Sequence, residues 1–402
     1  MQKLSLLETI DGTIEAKETE LVELRRHLHT HPELSHQEYE TTKEMARRLR
    51  DLGFEVTLRP EGVGLYADLT PDGFDPQTHL TVAVRSDLDA LPIHEQTGLD
   101  FASTEQGVMH ACGHDMHMTC VMGVAIGLSA VKAQLEGRVR ILYQHSEEVA
   151  PGGAEDLVAL GAMEGVDAVL GLHCDPTIAV GEVGVRVGAF TASSDAFTIT
   201  IKGQGGHSAR PHQAVDPVFI GVQVANNLYQ LAGRVFDARD AVVIAIGSIS
   251  GGQQHNVIPD DVTIKGTARS LSVVHRREIK PWLDRVVGGI CAAYGASHEM
   301  KINRGAPAIV NDEALTEVVR SCAQQVLGAD SVHGIKLPSM GAEDFSYYLE
   351  HAPGSMFRLG VARAGRPIHM LHSPHFDPDE SAIAIGARIV CRAVIELQKK
   401  GR

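Results

Sequence analysis

The 402-residue sequence predicts an α/β protein with a mostly parallel sheet flanked by helices, into which a smaller α+β domain is inserted. Strands alternate with helices in the first half of the chain, as they do in βαβ units. Near Val187 the pattern changes to apolar–polar alternation, which is typical of strands with one wet face. The length exceeds the size at which a single core stops growing. We therefore expect a discontinuous domain over 1–186 and 304–402, with an inserted domain over 187–303.

The first domain begins with two predicted helices. Leucines at helical spacing indicate a first helix that ends at His31-Pro32. Ser35 and Glu38 form the pattern of a capping box for a second helix, which Gly53 closes. The next predicted elements are strands over 54–58, 63–69, 80–85, 138–144 and 166–172, with a helix from Pro151 through Leu160.

The stretch 107–117 is rich in groups that bind metals. Within eight positions it contains one thiol and three imidazoles, from Cys112, His110, His114 and His117. An apolar run over 118–131 has helical spacing, so the stretch lies just before the first turn of a helix. Unpaired N–H groups and the helix dipole lower the pKa of a thiol there, which favours thiolate. Cys112 and His114 are candidate metal ligands, and a His-rich surface loop beside a buried cysteine is the alternative.

Acidic and imidazole groups also follow the predicted strands. Glu147 and Glu148 come after the strand over 138–144, and His173 ends the strand over 166–172. In parallel sheets, sites form outside the carboxyl ends of the strands. Neighbouring glutamates point in different directions, so we assign Glu148 to metal binding and Glu147 to the base that activates a water. The alternatives are two solvated glutamates and a plain strand-end histidine.

Three further positions extend this set. Asp87 and Asp89 follow the third strand and are candidates to orient an imidazole, with a capped turn as the alternative. His372 is a candidate ligand near the end of the chain, and spacing alone does not choose between it and His375. Five protein ligands are too many for one catalytic ion with an open position, so we predict two divalent ions about 3.5–4 Å apart. The ligand candidates are Cys112, His114, Glu148, His173 and His372.

The inserted region and the last hundred residues supply the remaining elements. The insert contains predicted strands over 196–202, 241–249 and 262–269 and helices over 217–231 and 274–293. The final part contains predicted helices over 312–326 and 380–398 and a strand over 356–361. The glycine run that begins at Gly203 follows an alternating strand and lacks the full spacing of a dinucleotide loop.

Eight short motifs are spread over almost the whole chain. They are Arg85-Ser-Asp-Leu-Asp-Ala-Leu-Pro92, His110-Ala-Cys-Gly-His-Asp115, Glu147-Glu148, Gly171-Leu-His173, Gly205-Gly-His-Ser-Ala-Arg-Pro-His212, His255-Asn-Val-Ile-Pro259, Met340-Gly-Ala-Glu-Asp-Phe345 and Leu371-His-Ser-Pro-His-Phe376. In this order they resemble the M20 metallopeptidase family. The match is to the amidohydrolase branch of that family, which includes hippurate hydrolase, aminoacylase and indole-acetyl-amino-acid hydrolases.

The resemblance implies a di-metal catalytic domain with an inserted lid or dimerisation domain. It implies that the two metals bind Cys112, His114, Glu148, His173 and His372. It also implies that Glu147 is the base, and it favours His372 over His375. Many M20 enzymes outside this branch have a His-x-Asp pair where this chain has Asp87 and Asp89, so we do not expect these two to be ligands.

The same resemblance implies roles for three residues of the insert. His207 resembles the histidine that reaches the site of a neighbouring subunit and stabilises the oxyanion, which is a large catalytic contribution. Asn256 and Arg269 resemble groups that hold the carboxylate of the substrate, to which a planar guanidinium is well matched. Without the resemblance, the three read as a turn histidine, a loop asparagine and a solvated strand arginine.

Together these features predict a metal-dependent amidohydrolase. It would cleave the amide of N-acyl or N-aroyl amino acids to a carboxylic acid and a free amino acid, and a dipeptidase or carboxypeptidase is the alternative. We expect two divalent ions per subunit, zinc or manganese, with cobalt and nickel also suitable, and a homodimer or dimer of dimers. A binding module without catalysis would not need Glu147, and a redox protein would need a second cysteine close to Cys112.

Charge and composition limit the classes of molecule that the protein is expected to bind. The net charge of −15 argues against a nucleic-acid backbone or an anionic membrane as partner. The first twenty residues do not read as a signal peptide, and the longest apolar run is too short to span a bilayer. Six scattered cysteines are typical of reduced thiols, so we expect a cytoplasmic protein that acts on a small molecule.

Overall fold

A computed structural model describes residues 5–237 and 239–401 of the chain. The α-helices are α1 (Leu6–Ala16), α2 (Glu18–Thr30), α3 (Tyr39–Asp51), α4 (His114–Ser129), α5 (Ala154–Ala159), α6 (Pro217–Val235), α7 (Val273–Ala293), α8 (Glu313–Leu327) and α9 (Ala382–Gln398). The strands are β1 (Glu55–Leu58), β2 (Leu65–Leu69), β3 (Thr81–Asp87), β4 (Arg138–Gln144), β5 (Ala168–Ala179), β6 (Val183–Val185), β7 (Gly188–Ala189), β8 (Ser193–Lys202), β9 (Gly206–His207), β10 (Val242–Ser250), β11 (Val257–Ile258), β12 (Asp261–Ser270), β13 (Ser297–Arg304), β14 (Val310–Asn311), β15 (Val332–Gly334) and β16 (Gly354–Ala362).

The chain divides into two compact units. The first contains Met1–Gly188, Val310–Lys336 and Tyr347–Arg402, and the second contains Ala189–Ile309 and Leu337–Ser346. The short segment Leu337–Ser346 lies in the part that we had expected to belong to the discontinuous domain. It joins the second unit because its backbone pairs with the start of that unit: Ser339 bridges Thr191, and the Ala192 N–H donates to Gly341 O at 3.0 Å.

The first unit is built on an eight-stranded sheet. Its strand order is β1-β2-β4-β3-β5-β16-β6-β15. The four central strands, β4, β3, β5 and β16, are mutually parallel, which confirms the predicted α/β fold with a mostly parallel sheet. All seven residues of β3 are buried, as expected for a strand covered on both faces.

The register of the central strands brings their carboxyl ends to one edge. Asp87 at the end of β3 is level with Gln144 at the end of β4, and Arg85 is level with Gly171 of β5. We expected β5 to end before His173, but the strand continues to Ala179. It does so because β16 continues to pair with it, with Arg358 opposite His173.

The N-terminal helices differ from prediction in two respects. The helix α1 was missed, although its Ile10 and Ile14 are fully buried. The predicted capping box at the start of α3 is wrong, because Glu38 is the N-cap residue and its side chain makes no capping hydrogen bond. Instead, the Glu33 carboxylate accepts the N–H groups of Glu40 and Thr41 at 3.1 and 2.8 Å.

The second unit has its own antiparallel sheet and core. Its four strands are in the order β10-β12-β8-β13. The predicted alternation on β8 is confirmed, since Phe197, Ile199 and Ile201 are buried. They pack in one cluster with apolar residues of α6 and α7. Among the described residues, no helix is long and apolar enough to cross a membrane.

Candidate active site

Six of the predicted site residues converge at the carboxyl edge of the first unit's sheet. They are Cys112, His114, Glu147, Glu148, His173 and His372, and they form overlapping groups whose ligand atoms lie within 4.8 Å of one another. Cys112 Sγ is 3.6 Å from His173 Nε2. Glu148 Oε1 is 3.2 Å from His372 Nε2 and 3.9 Å from His114 Nε2. Atoms that share a tetrahedral zinc ion at about 2.0–2.3 Å are separated by about 3.3–3.8 Å, so these spacings suit shared ions.

Gly113 sets the direction of the chain between the first two of these residues. It is the N-cap of α4 and has a φ of +86°, a left-handed conformation that favours glycine. A Cβ atom there would lie 3.3 Å from the sulfur of Cys174. This turn places Cys112 before the helix, as the sequence predicted, and His114 at the first position of the helix, which begins earlier than the apolar run from Met118 indicated.

Two of the imidazoles are oriented by backbone carbonyls. Nδ1 of His114 donates to the Asp89 carbonyl at 2.8 Å, and Nδ1 of His173 donates to the Cys174 carbonyl at 2.8 Å. Each bond leaves Nε2 free to face the cluster. Such a partner on the opposite nitrogen is the usual arrangement behind a metal-binding histidine.

His117 lies close to the same cluster but is already fully bonded. Its Nδ1 donates to Asp87 Oδ1 at 2.8 Å, and its Nε2 accepts the Cys174 N–H at 2.9 Å. Asp87 is also occupied, because Arg85 Nη1 donates to its other oxygen at 2.7 Å. Although Asp87, His114 and His117 lie near enough to hold an ion, these bonds favour an orienting role for Asp87 and His117.

His110 is buried and takes part in no group of potential ligands among the residues described. Burial lowers the pKa of its imidazole to about 4, so the ring is neutral near pH 7. Neither ring nitrogen has a hydrogen-bond partner within the described part of the chain.

Asp89 fixes the turn that carries the two glutamates. Its Oδ1 accepts the Glu147 N–H and its Oδ2 accepts the Glu148 N–H, both at 3.0 Å. Ser35 Oγ donates to the same carboxylate at 2.7 Å. Asp89 therefore touches both the His114 ring, through its carbonyl, and the glutamate turn, through its side chain.

The electrostatics of the cluster favour a cation. Burial lowers the pKa of His114, but Asp87 and other acidic groups around it outweigh that effect and raise it well above its ordinary value. Nε2 of His114 is buried and has no hydrogen-bond partner within the described chain, and Glu148 Oε1 has the His372 imidazole beside it at 3.2 Å. Thiol, imidazole and carboxylate donors are a suitable set for zinc and related divalent ions. The residues present thus fit a metal centre.

The expectation of a thiolate at Cys112 is wrong for the metal-free protein. The thiol is buried, and burial, together with the Glu148 carboxylate, raises its pKa well above the ordinary value. This outweighs the helix dipole on which the expectation rested. The thiol would lose its proton on binding a metal ion.

His372 reaches the cluster and His375 does not. The His372 residue has a φ of +65°, and its N–H donates to the Ala111 carbonyl at 2.8 Å, which ties its loop to the cysteine segment. Its side chain is 52% exposed, whereas that of Glu148 is 10% exposed. His375 Nδ1 instead faces the Gln96 carbonyl at 2.9 Å.

The remaining predicted site residues lie in the second unit. His207 in β9 pairs with Val257 of β11, and the Ser208 N–H donates to the Asn256 carbonyl at 3.2 Å, so His207 and Asn256 are neighbours. Arg269 lies on β12, where its Nη1 donates to the Met340 carbonyl at 2.8 Å.

Glu38 and Ser35 are the residues near the cluster that sequence reasoning misassigned. Both were assigned to a helix cap, whereas Ser35 bonds Asp89 and Glu38 accepts the Ser146 N–H at 2.7 Å. Glu33, two residues before Ser35, caps the helix instead, because its carboxylate accepts the N–H groups of Glu40 and Thr41. An acidic residue at that position was the feature of the sequence that could have indicated this.

Comparisons with known proteins point to one family. The profile of peptidase family M20/M25/M40 matches residues 83–396. The N-acetyl-L-cysteine deacetylase of Bacillus subtilis is 39% identical over 91% of this chain and 85% of its own. Thermostable carboxypeptidase 1 of Saccharolobus solfataricus is 38% identical over 96% of this chain and 97% of its own.

Among solved structures, the Bacillus subtilis YxeP protein is described as a dinuclear metal binding peptidase of the M20 family. It matches with a TM-score of 0.82 and 33% identity over 96% of this chain and 99% of its own. The fold, the family profile and these relatives identify a hydrolase that acts on amide bonds. The chain belongs to peptidase family M20/M25/M40.

Proposed function

We propose that this protein hydrolyses the amide bond of N-acyl amino acids, releasing a carboxylic acid and a free amino acid. The observation that carries the proposal is the convergence of Cys112, His114, Glu148, His173 and His372 beside Glu147. The similarity to an N-acetyl-L-cysteine deacetylase supports an acyl amino acid as substrate.

The five ligand candidates would hold two divalent ions, with zinc and manganese as the first choices. When bound, such ions polarise an amide carbonyl and make a water more acidic. His114 and His173 present Nε2 because their Nδ1 atoms are bonded to carbonyls. The Glu148 carboxylate lies beside both His114 and His372.

Glu147 would act as general base and then as general acid. Its Oε2 is 4.0 Å from His114 Nε2, so its carboxylate borders the cluster, and its side chain is 10% exposed. It takes a proton from water, whose oxygen forms a bond to the acyl carbon. The C–N bond then breaks, and Glu147 returns the proton to the departing amine.

His207, Asn256 and Arg269 would complete the site. We propose that His207 donates to the oxyanion from a second subunit, and that Asn256 and Arg269 bind the substrate carboxylate. The bond from Arg269 Nη1 to the Met340 carbonyl would fix the plane of the guanidinium, which suits bidentate binding of a carboxylate.

A carboxypeptidase or dipeptidase is the second candidate function. It is favoured by the similarity to a thermostable carboxypeptidase, which covers nearly the full length of both chains. The same ligands and the same base would serve this reaction, so the two functions differ only in the acyl side of the substrate.

Elemental analysis of the purified protein, paired with a substrate panel, tests the proposal. The panel contains N-acetyl and N-benzoyl amino acids and the matching dipeptides, each assayed before and after chelation. We expect about two metal ions per chain, preference for acyl amino acids, and loss of activity on chelation with recovery on adding Zn²⁺, Mn²⁺ or Co²⁺. Preference for dipeptides would favour the second candidate, and a fully active Glu147→Gln variant would overturn the assigned mechanism.

A further inference from the structure

The glutamate turn next to the cluster has an unusual backbone. Ser146 has a φ of +54°, in the left-handed region that a residue with a side chain rarely occupies. Such a conformation is energetically costly and persists only where the surroundings hold it in place. Ser146 comes directly before Glu147, so its conformation sets the direction in which both glutamates leave β4.

The groups that hold Ser146 come from the segment before α3. The Ser146 N–H donates to Glu38 Oε1 at 2.7 Å, and the Ser146 hydroxyl lies 3.3 Å from the same oxygen. The His36 N–H donates to Ser146 Oγ at 2.8 Å. His36 is itself left-handed, with a φ of +64°, so two strained residues are bonded to each other.

Glu38 is not needed at the start of its own helix. The Glu33 carboxylate already accepts the first N–H groups of α3, and the Glu38 side chain makes no capping bond. Its side chain is instead completely buried against Ser146. Burying a carboxyl group is costly unless it is hydrogen-bonded. Burial and the nearby Asp89 carboxylate raise the pKa of Glu38 to about 7.

A second contact links the same segment to the turn. Ser35 Oγ donates to Asp89 Oδ2, and that oxygen accepts the Glu148 N–H. The segment 35–38 thus contacts the glutamate turn at two points. One contact runs through Ser146 and the other through Asp89, and neither involves a metal ligand side chain.

We propose that Glu38 is a positioning residue of this enzyme, which acts by accepting the Ser146 N–H and thereby fixing the direction of the Glu147 carboxylate. The proposal rests on the proposed function, because it presumes that Glu147 is the base. It follows that the acceptor oxygen of Glu38 matters for turnover and that its negative charge does not.

Two substitutions of Glu38 separate these properties. Glu38→Gln keeps an acceptor oxygen at nearly the same place, whereas Glu38→Met keeps the length of the side chain and removes the acceptor. We expect Glu38→Gln to retain kcat within about threefold and Glu38→Met to lower kcat by about 10–100-fold, with KM within about threefold and metal content unchanged. A residue that only stabilised the fold would not lower kcat while KM stayed unchanged. Its loss would also not be compensated by a glutamine that keeps only the acceptor oxygen.

Controls make the outcome decisive. Glu40→Met changes an exposed glutamate at the start of the same helix and should leave kcat unchanged. If Glu38→Met does not fold, Glu38→Asp replaces it, since the shorter side chain withdraws the acceptor oxygen from the Ser146 N–H, and we expect it to lower kcat by about tenfold.

Two results would overturn the positioning role: a folded Glu38→Met enzyme with wild-type kcat, or a Glu38→Gln enzyme as impaired as Glu38→Met. Glu147→Gln distinguishes this failure from that of the proposed function. If Glu147→Gln is inactive while Glu38→Met is fully active, only the positioning role fails. If Glu147→Gln is active, the assignment of the base fails as well.

Discussion

The sulfur of Cys112 lies 3.6 Å from Nε2 of His173, a separation that suits two ligands of one ion. Both side chains are buried, and burial raises the pKa of the thiol well above its ordinary value while it lowers that of the imidazole well below. The imidazole is therefore ready to bind a cation as a neutral ring. The thiol must first lose a proton.

Metal binding should consequently release protons, from the Cys112 thiol and from His114, whose pKa is also raised well above its ordinary value, and it should tighten as the pH rises. Titration of the metal-free protein with Zn²⁺ in two buffers of different ionisation enthalpy measures this release. Cys112→Ser should weaken the binding of one ion by about 100-fold or more, because the loss of a ligand exceeds the 10–100-fold effect of an outer partner. Cys322→Ala, which changes a buried thiol of α8, is the control. Zinc affinity that is equal in Cys112→Ser and wild type would remove Cys112 from the ligand set.

Asp89→Asn tests the support of the glutamate turn. The Asp89 carboxylate accepts the N–H groups of Glu147 and Glu148 on separate oxygens, whereas an amide offers one acceptor and one donor. One N–H of the turn then faces an N–H₂ group. We expect kcat to fall by about 10–100-fold while the fold is retained. Steady-state kinetics on the best acyl amino acid, with circular dichroism as the folding check, gives the answer, and an unchanged kcat would contradict it.

Much of the site could be predicted because its residue types are rare and lie beside elements with evident apolar runs. Cys112 and His114 stand at the start of α4, Glu148 follows β4, and His173 lies within β5, while the parallel strands bring their carboxyl ends together. His372 was harder, since local spacing did not distinguish it from His375. The choice depends on the loop that contains His372. The left-handed backbone of His372 and its hydrogen bond to the Ala111 carbonyl form only in the folded protein.

The misassignments arose where one polar residue had two possible partners. Ser35 and Glu38 match a capping box, but Glu33 caps the helix and frees them for Asp89 and Ser146. A local pattern cannot show this, because both partners are distant in sequence. The same holds for Cys112, since the helix dipole is a local effect whereas burial depends on the whole fold.

A buried ion-pair network behind α4 should be important for stability. Asp115 Oδ2 is 2.8 Å from both Arg25 Nε and His29 Nδ1, and all three side chains are completely buried. Removal of one partner leaves uncompensated buried charge, so Asp115→Ala should lower the free energy of unfolding by about 3–5 kcal/mol. Urea unfolding of the metal-free protein measures this change. Asp51→Ala, which breaks an exposed pair with Arg47, is the control and should cost less than about 1 kcal/mol.

Hybrid oligomers test whether His207 acts across subunits. Glu147→Ala and His207→Ala should each be inactive, because one lacks the base and the other lacks the oxyanion donor. If the histidine comes from the partner, a mixed dimer contains one competent site, and random exchange of equal amounts should restore about a quarter of the wild-type activity. Differently tagged variants, purified in tandem, prove the exchange. Proven mixed dimers without activity would show that the trans arrangement is wrong.

Glu38 should make the stability of the metal-free protein depend on pH. Burial and Asp89 raise the pKa of this carboxyl group from an ordinary 4.5 to about 7 in the folded state. Between these values the folded protein keeps a proton that the unfolded chain has lost. The associated stability is present in full below about pH 4.5 and is lost as the pH rises through about 7.

Each pH unit between the unfolded and the folded pKa of Glu38 corresponds to about 1.4 kcal/mol of unfolding free energy. The wild-type protein therefore loses roughly 3 kcal/mol of stability over this pH range. Glutamine does not titrate, so the Glu38→Gln variant does not lose this stability. Between pH 4.5 and pH 8 its free energy of unfolding should rise by roughly 3 kcal/mol relative to that of the wild type. Urea unfolding of both metal-free proteins at pH 4.5, 6 and 8 measures the difference. Parallel stability curves would mean that Glu38 ionises in the folded protein as it does in the unfolded chain, and that its burial is relieved by a partner other than a proton.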